Sequence, residues 1–357
     1  MNPKAGARNM LVNCASAGAG ERLLIAYEPP DFGYYDADAV PCVIDAARDI
    51  GLTVETIDVG FSADKPHLTP ELIAAFERAD IILFLARLGD QLRFSDMPPG
   101  KRIVVSFALD AWLFGTGFGT THHTAMMTLK HKISQAMAGA EHVRVTCPKG
   151  SDFSGKPDMP AEDIGDTTIL RFPMSVFQPV PARRFSGRVA LCGFLTGTGS
   201  LYYDDYTLEF DGPVFAHMHQ GRLTGFEGSD VDVAAANAHY DRVSSMFGID
   251  RNFVHSWHAG MHPGCGYTRN ARDNYERWGG SSFGNPRILH FHTCGAYAPG
   301  EISWNMLDPT IEIDGIRVWE DGVFHAERLP GGQKVLDSYA CAAHIFGNPV
   351  KDIGLVV

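Results

Sequence analysis

Apolar runs of strand length alternate with helix-period segments through the first 150 residues, and this alternation limits the fold more than any other feature of the chain. RLLIAYE (22–28) is a short apolar run of the kind that forms a buried strand. DADAVPCVIDAARDIG (36–51) has helical spacing and closes on Gly51, and TVETIDV (53–59) alternates like a strand. TPELIAAFERA (69–79) then places a Thr at the N-cap, a Pro at the first helical position and a Glu in the first turn, with DIILFLA (80–86) following as a buried strand. RIVVSFAL (102–109), TAMMTLKHKISQAMAGA (124–140) and HVRVTC (142–147) continue the strand, helix, strand order. The expected architecture is α/β, with an N-terminal mostly parallel sheet covered by helices on both faces.

The pattern changes after a Pro-punctuated stretch, FPMSVFQPVPARRFSGR (172–188), which reads as an extended linker. Beyond it RVALCGF (188–194), LEFDGPVFAHMHQGRLTGFEG (208–228) and PTIEIDGIRVWEDGVFHAE (309–327) read as strands and hairpins with Gly turns, and DVDVAAANAHYDRVSSMFG (230–248) as a helix. The chain is therefore expected to divide into an N-terminal α/β domain, 1–180, and a C-terminal α+β domain, 181–357, that carries the site.

Composition narrows the function. The formal net charge is −12 and Lys and Arg are nowhere densely clustered, so neither nucleic acid nor an acidic membrane surface is expected as a partner and a small-molecule substrate is expected. No apolar run approaches the length of a bilayer span and the N-terminus lacks a signal-peptide core, which leads us to expect a cytoplasmic protein. Seven cysteines without a CxxC pair argue against a disulfide framework or a zinc ribbon. GTGFG (115–119) and GTGS (197–200) lack the strand-turn-helix setting and the lysine of a phosphate loop, so no nucleotide cofactor is expected. A homodimer is a default expectation for such a chain.

The chemistry concentrates in two segments. NFVHSWHAGMHPG (252–264) holds His255, His258 and His262; ILHFHTCG (288–295) adds His290 and His292, which strand alternation puts on one face. A facial iron site needs two histidines and a carboxylate, for which Glu301 and Asp308 are the candidates nearby, and an all-histidine set suits Fe, Zn, Cu or Ni. A single histidine is more often structural, but five in a cluster favour metal ligation or proton transfer. HMH (217–219) and THHT (121–124) are further candidates, although each alone is more often a solvated surface feature. Trp257, Tyr267, Tyr275, Trp278, Phe291, Tyr297 and Trp304 crowd the same segments and would suit stacking on a flat substrate, although for most of them a place in the core is the commoner role. Cys265 and Cys294 lie near histidines, and a small buried cysteine is the ordinary reading of both. In GSDFSG (150–155), Ser151 and Asp152 suit either a substrate contact or an Asx turn.

Taken in order, GERLLIAYE, ADIILFLA, VRVTCPKGSDFSG, GPVFAHMHQGRLTGFEG, HAGMHPG, ILHFHTCG and ISWNMLDPTIEIDGIRVWEDG resemble the M29 aminopeptidase family over nearly the whole chain, and look closest to its 2,5-dihydroxypyridine 5,6-dioxygenase branch. The resemblance implies a metal site in the C-terminal half. It points to His255 as a ligand, with His258 the competitor, and to His290 and Tyr297 at the spacing of a ligand and a catalytic tyrosine. The family's remaining His-x-Asp ligand pair falls on SWN, so Ser303 and Asn305 stand where His and Asp would coordinate. Neutral Ser and Asn are poor ligands, so the metal has either moved onto the extra histidines or is gone.

Two enzyme classes and one binding class follow. The leading expectation is an Fe(II)-dependent ring-cleaving dioxygenase for a small hydroxylated aromatic or N-heterocyclic acid, with His255 and His290 or His292 on the metal, His258 and His262 as further candidate ligands, and His217 or His219 moving protons. The alternative is an amide or C–C bond hydrolase. It would use zinc, or no metal and histidine acid/base catalysis, with Tyr297 as a second proton donor and Ser303 and Asn305 donating to an oxyanion. A protein that kept the fold and lost the chemistry would show its histidines dispersed rather than converging.

Overall fold

A computed structural model describes residues 1–63, 66–160, 168–197, 200–295 and 298–355. The chain forms two compact units, each drawn from several segments. The first comprises Met1–Met127, Gly165–Met174 and Tyr339–Gly347; the second comprises Thr128–Ile164, Ser175–Ser338 and Asn348–Val357. The sequence reading of 1–180 and 181–357 describes consecutive pieces, whereas these units interleave along the chain.

The first unit is built on a five-stranded, wholly parallel sheet in the order Thr53–Asp58, Arg22–Tyr27, Ile81–Leu85, Arg102–Ser106, Leu170–Phe172. Ile81–Leu85 is buried along its whole length, as an interior parallel strand must be, which is why it is apolar at every position. Thr69 caps helix Pro70–Arg78, its hydroxyl accepting from the Leu72 amide at 3.2 Å, and helix Ala39–Ile50 ends at Gly51 with φ +88°. Just past strands Arg22–Tyr27 and Ile81–Leu85, where the strand order reverses, the buried Glu28 carboxylate meets Arg87 Nε at 3.1 Å, and the guanidinium lies 3.4 Å from the Phe61 ring centroid. The GTGFG stretch is helical, at the junction of Ala111–Gly115 and Gly117–Thr120. The GTGS stretch lies partly outside the described residues.

The second unit is a sandwich of two sheets. One has six strands, in the order Leu208–Glu209, Phe194–Thr196, Ile302–Leu307, Ile288–Thr293, Val254–Ala259, Val180–Pro181. The other has eight and is antiparallel throughout, with tight hairpins at Gln220-Gly221, Asp314-Gly315 and Asp321-Gly322, where both residues of each pair have positive φ. The sheets meet through Phe153, whose ring centroid is 5.6 Å from Trp257 and 5.2 Å from Phe291, and through Phe185, 5.4 Å from Trp257.

Two expectations are corrected. HVRVTC forms strand Val143–Thr146 not in the parallel sheet but in the eight-stranded one, antiparallel to Asp152–Gly155 and Thr310–Ile313; its alternating burial suits a sheet with one face in the core. The Pro-punctuated stretch is no linker. It contributes Val180–Pro181 to the edge of the six-stranded sheet, where proline's missing N–H is tolerated, and buries Phe177 completely.

Candidate metal centre

The three central strands of the six-stranded sheet pair so that their two faces differ in kind. Directly opposed residues of an antiparallel pair project to the same side. One face therefore carries Trp257, Phe291 and Trp304, in register with one another and turned to the sandwich core. The opposite face carries two polar rows: Ser256, His292, Ser303 and Thr196, and beside it His258, His290 and Asn305. Alternation writes this division into WHA, HFHT and SWNM.

On the polar face three imidazoles converge. His258 Nε2 lies 2.8 Å from His290 Nε2 and 3.2 Å from His292 Nε2, and all three ligand atoms fall within 4.8 Å of one another. The outer nitrogens of His258 and His292 are anchored. His258 Nδ1 lies 2.7 Å from the Phe177 carbonyl oxygen, which can only accept, so Nδ1–H donates and the neutral ring keeps its lone pair on Nε2. His292 Nδ1 donates to the buried Glu301 carboxylate, so its Nε2 also presents a lone pair. His290 stacks on Phe283 with centroids 4.2 Å apart. His258 and His290 are buried, and the His292 side chain keeps 12% of its surface exposed, where the centre meets solvent.

This geometry fits a cation. Two lone pairs facing each other at 3.2 Å repel unless a proton or metal ion lies between them, and two nitrogens bound tetrahedrally at ~2.1 Å stand about 3.4 Å apart. The His258–His292 pair is therefore close to ligand spacing, while the His258–His290 pair, at 2.8 Å, is at hydrogen-bond distance and would open on binding. Neutral imidazoles held by a backbone carbonyl and a carboxylate are the outer-shell arrangement of metal-binding histidines. The buried Asn305 adds an amide nitrogen without a hydrogen-bond partner among the described residues. Its Oδ1 accepts from Ser303 at 3.3 Å.

The other expected residues are placed as follows. His255 occupies a bulge between Val254 and Ser256, half-buried, with Nδ1 2.8 Å from Ser256 Oγ; burial and the nearby His292 lower its pKa. His262 is fully buried, its Nδ1 accepts from the Gly264 amide at 3.2 Å, and burial pushes it down to about 3, so it stays neutral. Neither joins the converging set. His217 and His219 lie on the exposed hairpin of the other sheet, where His217 Nε2 is 2.8 Å from Glu227 and His219 Nδ1 is 3.3 Å from Ser186 Oγ. Tyr297 lies outside the described residues. Ser303 and Asn305 are fully buried beside His292 and His290.

Of the two carboxylates considered, Glu301 reaches the centre, through His292, while Asp308 pairs with Arg287 at 2.6 and 2.9 Å. Cys265 donates to the Ser281 carbonyl at 2.8 Å and Cys294 is raised to about 12 by burial, so neither is a thiolate. Asp152 forms a two-point pair with Arg144 and Ser151 accepts from the Ala190 amide, both structural roles. Of the histidines in THHT, His123 is buried and lowered to about 4, and His122 Nδ1 accepts from the Thr124 amide. The Phe177 carbonyl was not anticipated, because a backbone group has no signature in sequence; the hint was an apolar residue held extended before QPVP.

Fold and site together define an α/β protein with a histidine-lined candidate metal centre on the buried face of an antiparallel sheet. Its fold is that of 2,5-dihydroxypyridine dioxygenase from Pseudomonas putida KT2440, with a TM-score of 0.60 over 92% of this chain and 98% of that one, at 15% identity. A weaker likeness, TM-score 0.49 at 12% identity, covers 90% of this chain and 98% of wild-type AmpT from Thermus thermophilus. No family model and no curated protein sequence matches the chain.

Proposed function

We propose that the protein is a metal-dependent enzyme whose ion is held by His258, His290 and His292, and that it cleaves the ring of a small hydroxylated aromatic or N-heterocyclic acid with dioxygen. The observation that carries this reading is the convergence of three Nε2 atoms, with the Phe177 carbonyl and Glu301 directing the lone pairs of His258 and His292 inward. The likeness in fold to a dioxygenase supports the choice of reaction. A redox-active ion such as Fe(II) would supply the electron transfer that ring cleavage by dioxygen needs, whereas Zn(II) in the same three-imidazole set would supply Lewis acidity for hydrolysis.

The chain's own groups have definite tasks. Phe177 and Glu301 fix the ring orientations and tautomers of His258 and His292, so the donors are aligned before anything binds. Phe283 and the aromatic face behind the strands keep water from His258 and His290. Ser303 orients the Asn305 amide, which is then available to an oxygen of the substrate.

The His-x-His pair on Ile288–Thr293 lies in register with the positions of the family's His-x-Asp, one strand across, His290 opposite Asn305 and His292 opposite Ser303. A site displaced by one strand keeps its place on the same sheet face. That explains how Ser303 and Asn305 can replace ligands while a candidate centre persists. A hydrolase is the second reading, favoured by a donor set of three imidazoles alone, which is one donor set of a catalytic zinc.

Oxygen uptake by the iron-loaded protein with hydroxylated pyridines and hydroxybenzoates separates the two. Uptake that disappears in His258→Ala supports ring cleavage. Release of an amine or acid from amide substrates by the zinc-loaded protein, without uptake, establishes the hydrolase.

A further inference from the structure

We propose that the centre takes its substrate as a singly charged oxygen anion, a carboxylate, enolate or phenolate, with Asn305 as the donor that selects it; this rests on the reading of His258, His290 and His292 as metal ligands. Charge leads to the class. Three imidazoles add nothing to a divalent ion's +2, so a site of this composition is more positive by one than a set of two histidines and a carboxylate. Among the described residues the carboxylate bonded to the set is Glu301, on His292 Nδ1. Ion and Glu301 together would leave a net +1 among the buried His258, His290, Ser303 and Asn305, and buried charge is stable only when paired. One monoanionic ligand completes the balance.

The second observation is independent of charge. Asn305 is 0% exposed and its Nδ2 has no hydrogen-bond partner among the described residues, which leaves a buried donor unmet. Ser303 Oγ occupies Oδ1 at 3.3 Å, so the amide presents its N–H side elsewhere. Asn305 is the cross-strand neighbour of His290 and stands diagonally from His292, the ligand nearest solvent. The amide and the three imidazoles thus share one face of the sheet. Asp at this position would hold the ion more tightly and repel the anion; Asn gives up the first effect and reverses the second.

The test uses Co(II), whose visible spectrum reports its ligands without any turnover. Wild-type protein titrated with Co(II) and then with formate or the isosteric neutral formamide is expected to bind formate at least tenfold more tightly. Asn305→Asp should take up Co(II) at least as well and lose that preference, and Asn305→Ala should weaken formate binding several-fold; if the Asp variant does not fold, as judged by circular dichroism, the Ala variant is read alone. Equal affinity for the two probes, no response to formate, or a preference unchanged in the variants overturns the proposal while leaving the metal reading standing. A Co(II) spectrum that is missing in wild type, or unaltered in His258→Ala, overturns the metal reading itself and the proposal with it.

Discussion

At the scale of single residues the candidate centre depends on groups outside its three imidazoles. Glu301 holds His292 in one tautomer, so Glu301→Gln should lower affinity for Co(II) or Zn(II) about 10- to 100-fold, the usual loss for an outer-shell partner, with the fold retained. A calorimetric titration showing unchanged affinity would remove Glu301 from the account. Buried histidines outside the centre set a pH dependence. Burial lowers His123 and His239 to about 4 and His262 to about 3, below the ordinary 6.5. The unfolded chain therefore binds more protons across that interval. Their contribution to stability is fully present above pH 6.5 and falls as pH drops toward 4, by about 1.4 kcal/mol per pH unit per residue. Urea unfolding at pH 7 and pH 5 should show the loss, and His262→Gln should reduce it. How much of the centre was legible turns on the same residues. His258, His290, His292 and Glu301 could be nominated from residue type and alternation, but choosing among five histidines required knowing which strands pair. His255 matched the family spacing better, yet the bulge at that position separates it from the converging set.

At the scale of elements, local signals were reliable where burial and caps acted together. The strands Arg22–Tyr27, Ile81–Leu85 and Arg102–Ser106 and the capped helix Pro70–Arg78 lie where periodicity put them. Partner choice was not local. Val143–Thr146 reads as another strand of the alternation, but its hydrogen bonds go to Asp152–Gly155 and Thr310–Ile313, and the latter begins 164 positions beyond Thr146. Pro-rich 172–188 looked like a linker because proline count, not burial, dominated the signal. Phe177→Ala should therefore cost about 3–5 kcal/mol, as for any fully buried aromatic, and should also loosen His258, lowering metal affinity. A loss below 1 kcal/mol would restore the linker reading. In the parallel sheet, Arg87→Ala takes the guanidinium away from the buried Glu28 carboxylate, which keeps the residue 87 amide as a donor at 3.0 Å, and should cost about 3–5 kcal/mol, whereas Arg87→Ala with Glu28→Gln should recover part of it.

At the scale of the molecule, the two compact units share no single boundary in sequence, which is why a division at one linker could not be read from composition. The candidate centre belongs wholly to the second unit, whose sandwich positions all three histidines from the strands Val254–Ala259 and Ile288–Thr293. Among the described residues no helix is long and apolar enough to cross a membrane. A ligand that binds only the folded state raises stability by an amount set by its concentration over Kd, about 2.7 kcal/mol at a hundredfold excess. Stripping the ion with a chelator should lower the melting temperature of the wild type and leave His258→Ala unmoved. The measurement closest to the central claim is the metal content of protein purified anaerobically without added metal, beside His258→Ala, His290→Ala and His292→Ala. The account predicts about one first-row ion per chain in wild type, completing one tetrahedral or facial site, and a marked loss in each of the three variants. Wild type without metal and unable to acquire it on reconstitution, or variants that keep the full complement, would contradict it.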